Sequence, residues 1–371
     1  MDDDIPYLLL TPGPLTTSRS VKQAMLRDYC TWDDDYNQLV TQLRADLVRI
    51  AGGGERHTTV LMQGSGTFGV EATIGSVIPP DGKLLVINNG AYGKRMADIA
   101  RRLAIDLVEI AQSETEPADL GRIEQALASD TAITHVALVH CETTTGMLNP
   151  AAEVGRLARQ YDKIVILDAM SSLAGIEFAI EEVGAHFLVS SANKCLQGVP
   201  GFGLIVCERG ALERTKGWAR SLALDLYDQW REMEENHGKW RYTSPTHTVR
   251  ALVQAVEELA AEGGVRARAQ RYAENHRVLV AGMESLGLRP LLAAEHRSPI
   301  ITSFLYPQEP RFHFRTFYDA LKRRRFVIYP GKVSQAETFR IGTIGHVFPD
   351  DMRELVAATR ATIAELKWNI G

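Results

Sequence analysis

The chain has 371 residues, 45% of them hydrophobic and 23% charged, with a net charge of -5. That is the composition of a globular protein with ample core and room for two units, and its acidic balance argues against general nucleic-acid or membrane-surface roles. No apolar run approaches the ~20 residues that span a bilayer. The cysteines, at 30, 141, 195 and 207, lack metal-site or disulfide-framework spacing, so no metal is expected and a reducing cytoplasm is.

In chain order, residues 1–20 read as an arm. Its acidic start, Met1-Asp-Asp-Asp4, precedes only a brief apolar run and is no signal peptide. Pro12-Gly13-Pro14 sets an extended, then turned backbone without regular structure. A helix can begin over 20–27, and 37–50 is a clear one, with Leu39, Leu43 and Leu47 at helical spacing and a stop at Gly52-Gly-Gly54. The strand 58–62 runs into Gly64-Ser65-Gly66-Thr67 and a helix over 68–77. Strand, small-residue turn and helix is how backbone N–H groups are aimed at a phosphate, although a plain tight turn reads the same way.

Alternation continues: strands over 84–87, 107–110, 135–139, 163–168, 186–190 and 203–207, with helices to 103, over 119–127 and over 154–161. This is the pattern of a doubly wound α/β sheet. Polar or aromatic side chains arrive at the strand ends: Ser65, Tyr92, Glu142, Thr143, Asp168 and Lys194. Residues 209–250 break the pattern with Trp218, Tyr227, Trp230, Trp240 and Tyr242; a partner surface and a local core account for them equally. A long helix from 248 opens a smaller unit. There, helices over 267–286, 314–324 and 349–366 mix with strands over 300–305, 326–329 and 338–341. Arg340, flanked by apolar residues in the last strand, needs an anionic partner.

The sharpest pair is Asp168 and Lys194. Ligands in open α/β sheets sit outside the carboxyl ends of parallel strands, so both charges face one crevice. A lysine whose ammonium is disfavoured attacks carbonyls, and an aspartate can keep a pyridine nitrogen protonated. Those are the two groups that pyridoxal phosphate requires. A buried ion pair in a cofactor-free binding protein is the rival reading.

Together with the blocks Thr11-Pro-Gly-Pro14, Gln63-Gly-Ser-Gly-Thr67, Asn89-Gly-Ala-Tyr-Gly93, Glu142-Thr-Thr-Thr-Gly146, Asp168-Ala-Met-Ser-Ser172, Ser191-Ala-Asn-Lys194 and Phe339-Arg-Ile-Gly342, the chain resembles the class-V, fold-type-I pyridoxal-phosphate aminotransferases. The blocks Cys30–Asn37, Ser190–Gly201, Lys239–Thr248 and Val327–Ser334 are more similar to its phosphonate branch. Asn193 before the lysine, where the alanine–glyoxylate branch has glutamine, and Tyr92, where it has tryptophan, agree with that branch.

The resemblance implies an arm over 1–20, a large doubly wound, mostly parallel cofactor-binding domain over 21–247 and a smaller C-terminal α+β domain over 248–371. It implies Lys194 as the covalent cofactor lysine and Asp168 as the partner of the ring nitrogen, with Tyr92 stacked on the ring and Asn193 beside the lysine. Ser65, Gly66 and Thr67 would hold the phosphate, Thr143 would lie near the ring's phenolic edge, and Thr243 would reach in from a second subunit. Arg340 would take the substrate's acidic group; Gly13 joins it as a substrate contact by position in the arm. The implied activity is amino transfer from an aminophosphonate, 2-aminoethylphosphonate, to the 2-oxo acid pyruvate, in a homodimer. Another enzyme of the family, such as an alanine–glyoxylate or serine–pyruvate transaminase or a lyase, is the alternative.

Overall fold

A computed structural model describes residues 6–333 and 335–370. The acidic start Met1-Asp-Asp-Asp4 and Ser334, the last residue of the Val327–Ser334 block, lie outside the described residues. Seven strands form the large sheet, in the spatial order His57–Gly64, Gly201–Glu208, Phe187–Ser191, Ile164–Asp168, Ile133–Val139, Lys83–Asn88 and Asp106–Ala111. Neighbours pair in parallel except Gly201–Glu208, which runs antiparallel to both of its neighbours.

Helices cover both faces, so these strands are apolar runs rather than alternating ones. Successive side chains still point to opposite sides. Leu84 and Val86 enter the core with helices Gly66–Val77 and Ala91–Arg102, while Leu85 and Ile87 enter the one with helix Asp34–Ile50. From Lys83–Asn88 the chain first steps outward to Asp106–Ala111. It then returns to the other side, through Ile133–Val139, Ile164–Asp168 and Phe187–Ser191. That reversal leaves a crevice at the strands' carboxyl ends.

The C-terminal part carries a three-stranded antiparallel sheet, Ile301–Leu305, Thr338–Gly342 and Tyr329–Pro330, packed on helices Gly264–Glu284, Phe314–Arg323 and Pro349–Glu365 around Phe304, Phe317 and Phe339. The single strand expected over 326–329 divides in two. Phe326–Val327 pairs in parallel with Leu8–Leu9 of the arm, and Tyr329–Pro330 pairs with Thr338–Gly342. Pro330 has no N–H to extend that second ladder.

The arm is thus tied to the C-terminal sheet. Leu10 N donates to Val327 O at 2.8 Å, and Gly342 N donates to Leu10 O at 2.9 Å.

Helix Thr246–Glu262, expected to open the smaller unit, buries Val249, Leu252, Ala255 and Leu259 in a core of the large sheet. We therefore propose that the division falls at Gly263-Gly264 rather than at 247/248. The aromatic segment serves chiefly as local core: Trp230 and Trp240 are buried, Trp240 edge-on to Phe202 at 5.9 Å, while Tyr242 stays exposed.

Candidate active site

Residues at the ends of five of the seven strands wall one cavity of about 200 Å³. On one side lies the start of helix Gly66–Val77. Its N-cap Ser65 makes no side-chain cap bond, and first-turn N–H groups have no intrahelical partner. Thr67 Oγ1 accepts a hydrogen bond from Arg95 Nη1 at 3.0 Å. A helix start with a guanidinium beside it is a seat for a phosphate.

Asp168 and Lys194 come from adjacent parallel strands, with Asp168 in register with Val189. Both are walls of the cavity. Burial pushes the Asp168 carboxyl up to about 6, against the pull of Met170 N, which donates to Oδ1 at 2.9 Å, and of the Arg95 and Lys194 charges. Burial likewise lowers the Lys194 amine to about 8; Cys195 and Asp168 oppose that shift and the Arg340 charge adds to it. The lysine does not close onto Asp168 as the ion-pair reading requires: Lys194 Nζ donates to Pro12 O of the arm. Gly13, with φ +113°, lies directly against the lysine, so that a Cβ there would sit 2.8 Å from Lys194 Cδ and 2.9 Å from Nζ.

A hairpin, Cys141–Glu142 with Met147–Leu148, supports the opposite wall. The buried Glu142 carboxylate accepts from Tyr92 N at 3.2 Å, Gly93 N at 3.3 Å and Thr144 Oγ1 at 3.1 Å. It caps the helix that presents Tyr92 and Arg95. Burial pushes this carboxyl up to about 7 against those three donors. Gly90 is required by the close approach, because a Cβ there would overlap the Glu142 side chain. Next along the hairpin, Thr143 O accepts from Arg340 Nη1 at 2.9 Å, and Pro330 O accepts from Arg340 Nε at 3.0 Å. Burial lowers the Arg340 pKa from its ordinary value.

Of the residues singled out from the sequence, Ser65, Gly66, Thr67, Tyr92, Asp168, Asn193 and Lys194 line the cavity together. Gly13 touches the lysine from outside that wall, and Thr143 and Arg340 are joined one layer back. Thr243 stands apart; within its own chain its carbonyl accepts from Gln63 Nε2. The cavity wall also includes Arg95, Cys141, Met170, Ser171 and Ser191, which the sequence reading passed over as site residues. Arg95 could have been found: it lies one helical turn beyond Tyr92 and so shares its face.

The model of the family "Aminotransferase class-V" matches residues 18–328. The chain belongs to the class-V aminotransferases. This aminotransferase is 58% identical over 355 residues to a 2-aminoethylphosphonate–pyruvate transaminase of Syntrophobacter fumaroxidans, covering 96% of each chain. It is 59% identical to one of Vibrio cholerae, covering 96% of this chain and 98% of the relative. A solved structure of pyridoxamine–pyruvate aminotransferase from Mesorhizobium loti superposes with a TM-score of 0.90 over 100% of this chain and 96% of that one; at 23% identity this shows the shared fold.

The family is pyridoxal-phosphate dependent, and the aminotransferase's cavity suits that group. It offers an uncapped helix start with a guanidinium for a phosphate, a buried carboxyl for a ring nitrogen and a buried amine for a carbonyl carbon. Among the described residues the buried Thr143 Oγ1 has no hydrogen-bond partner, leaving a donor free beside this site.

Proposed function

We propose that this aminotransferase moves the amino group of 2-aminoethylphosphonate to pyruvate, giving phosphonoacetaldehyde and L-alanine. The observation that carries the reading is the 58–59% identity to transaminases of that name along nearly the whole of both chains. When bound, pyridoxal phosphate supplies a carbonyl carbon that takes up the amino group and a ring that accepts electrons from the carbon losing its proton.

The chain's own residues supply the rest. Lys194 Nζ removes the proton from the amine-bearing carbon of the donor. In the second half-reaction it delivers one to the former carbonyl carbon of pyruvate. In the cofactor-free chain burial already lowers its pKa to about 8, favouring the neutral amine that this proton transfer needs. Asp168 keeps the ring nitrogen protonated; Ser65, Gly66 and Thr67 hold the phosphate with Arg95; Tyr92 packs on the ring, flanked by Asn193 and Thr143. Arg340 binds the acidic group of each substrate in turn. Gly13 lets the arm approach the lysine and the substrate.

We further propose a homodimer in which Thr243 completes the phosphate site of the second subunit, working in the cytoplasm. The buried free thiols Cys141, Cys195 and Cys207 suit a reducing compartment. Among the described residues no helix is long and apolar enough to cross a membrane.

The test is donor choice. With pyruvate as acceptor, the loaded protein should form alanine from 2-aminoethylphosphonate far faster than from serine. Preferred turnover of serine, or of alanine with glyoxylate, would move the chain to another branch of the family.

A further inference from the structure

Arg340 does not by itself match a phosphonate. A carboxylate has one proton to lose and carries one negative charge, whereas a phosphonate has two and can carry a second charge, which a neighbouring cation favours. Two of the five guanidinium N–H groups of Arg340 are already committed to Pro330 O and Thr143 O. What remains can grip one anionic edge, and the second charge needs a second cation.

The hairpin that bears Arg340 supplies one. Pro330, held by Arg340 Nε, is followed by Gly331 and Lys332. Gly331 N donates to Thr338 O at 2.9 Å, and a Cβ on Gly331 would overlap that same carbonyl. The loop is therefore drawn close against strand Thr338–Gly342. Lys332 Nζ lies 6.0 Å from the centre of the Tyr92 ring, itself a cavity wall, and Tyr92 is also among the groups acting on the Arg340 charge. Among the described residues neither Lys332 nor Arg340 has a carboxylate partner in an ion pair. Two cations without an ion-pair partner near one aromatic wall, with the Glu142 carboxyl acting on Arg340 only from beyond ion-pair distance, describe a seat for an anion.

We propose that Lys332 is the residue that distinguishes phosphonate from carboxylate, taking the second charge of the group that Arg340 grips. The inference rests on the aminophosphonate reading above and names the part of the site that makes that choice. Arg340 serves both substrates; Lys332 favours one of them.

The test uses the pyridoxal-phosphate-loaded enzyme and two unreactive probes, ethylphosphonate and propionate, with dissociation constants measured by calorimetry at a pH above the second ionisation of the phosphonate, where it is a dianion and propionate a monoanion. Wild type should bind ethylphosphonate at least 10-fold more tightly than propionate. Lys332→Ala should lose at least 10-fold in ethylphosphonate affinity and less than 3-fold in propionate affinity, with Lys332→Arg recovering most of the loss and the melting temperature unmoved. Equal losses for both probes, or no loss for ethylphosphonate, would overturn the role of Lys332. Turnover of 2-aminoethylphosphonate by wild type is measured separately: its failure would count against the proposed substrate, while the probe affinities would still decide Lys332.

Discussion

Gly13 and Lys194 are in van der Waals contact: a Cβ on the glycine would come to 2.8 Å from the lysine Cδ. The arm that carries Gly13 is bonded into the C-terminal sheet through Leu10, so the position of the lysine is set partly by that sheet. Gly13→Ala must displace the amine and also place alanine at a φ of +113°, with backbone strain of ~1–2 kcal/mol. Turnover should fall on the order of 100-fold, with only a few degrees lost in melting temperature. Full activity in the variant would show that the lysine has room to spare.

Asp168 links the site to pH. In the folded, cofactor-free chain its carboxyl keeps a proton up to about pH 6, above the ordinary value of 3.8, because burial disfavours the anion. The folded state therefore binds more protons than the unfolded one across that interval. Its contribution to stability is complete below the ordinary value and is lost as pH rises through about 6. Asp168→Asn should melt higher than wild type at pH 7.5 in the cofactor-free form, by at most ~3 kcal/mol, with the gap closing towards pH 4. The same variant should lose on the order of 100-fold in turnover when loaded. Parallel melting curves across this pH range would exclude a buried carboxyl that titrates there.

Arg340→Ala should weaken recognition of both the phosphonate and the 2-oxo acid, by ~2–4 kcal/mol for a desolvated pair. Arg340→Lys should restore little, because an ammonium cannot span the Pro330 and Thr143 carbonyls as the guanidinium fork does. Steady-state KM values for each substrate check this. An unchanged KM for both would make Arg340 a structural residue.

Shared sites make a distinct prediction. Mixed dimers of Lys194→Ala and Thr243→Ala chains contain one site with both native residues if Thr243 acts across the interface. Mixing Lys194→Ala chains, expected to be inactive, with the weakened Thr243→Ala chains in equal amounts should therefore raise activity above that of either variant, towards a quarter of wild type. If Thr243 acts within its own chain, each site of the hybrid lacks one group and activity stays at the level of the separate variants.

The large sheet could be read from the sequence because its strands are covered on both faces and appear as apolar runs ending in functional side chains, as Ile164–Asp168 does. The ladder of Leu8–Leu9 with Phe326–Val327 was hidden: two-residue strands carry no periodicity, and their partners lie at opposite ends of the chain. Glu142 stood out as a polar strand end, yet its work as a helix cap depends on the fold bringing Tyr92 N and Gly93 N to it. Helix Thr246–Glu262 was recognised from its spacing, but spacing cannot say which core receives its face.

Every proton transfer proposed above depends on Lys194 being the amine that bonds the cofactor. Borohydride reduction of the loaded protein, followed by proteolysis and mass spectrometry, tests it most directly. The added cofactor mass should appear on the peptide containing Lys194 and on no other lysine peptide; an unmodified Lys194, with the mass elsewhere or absent, would rule that bond out.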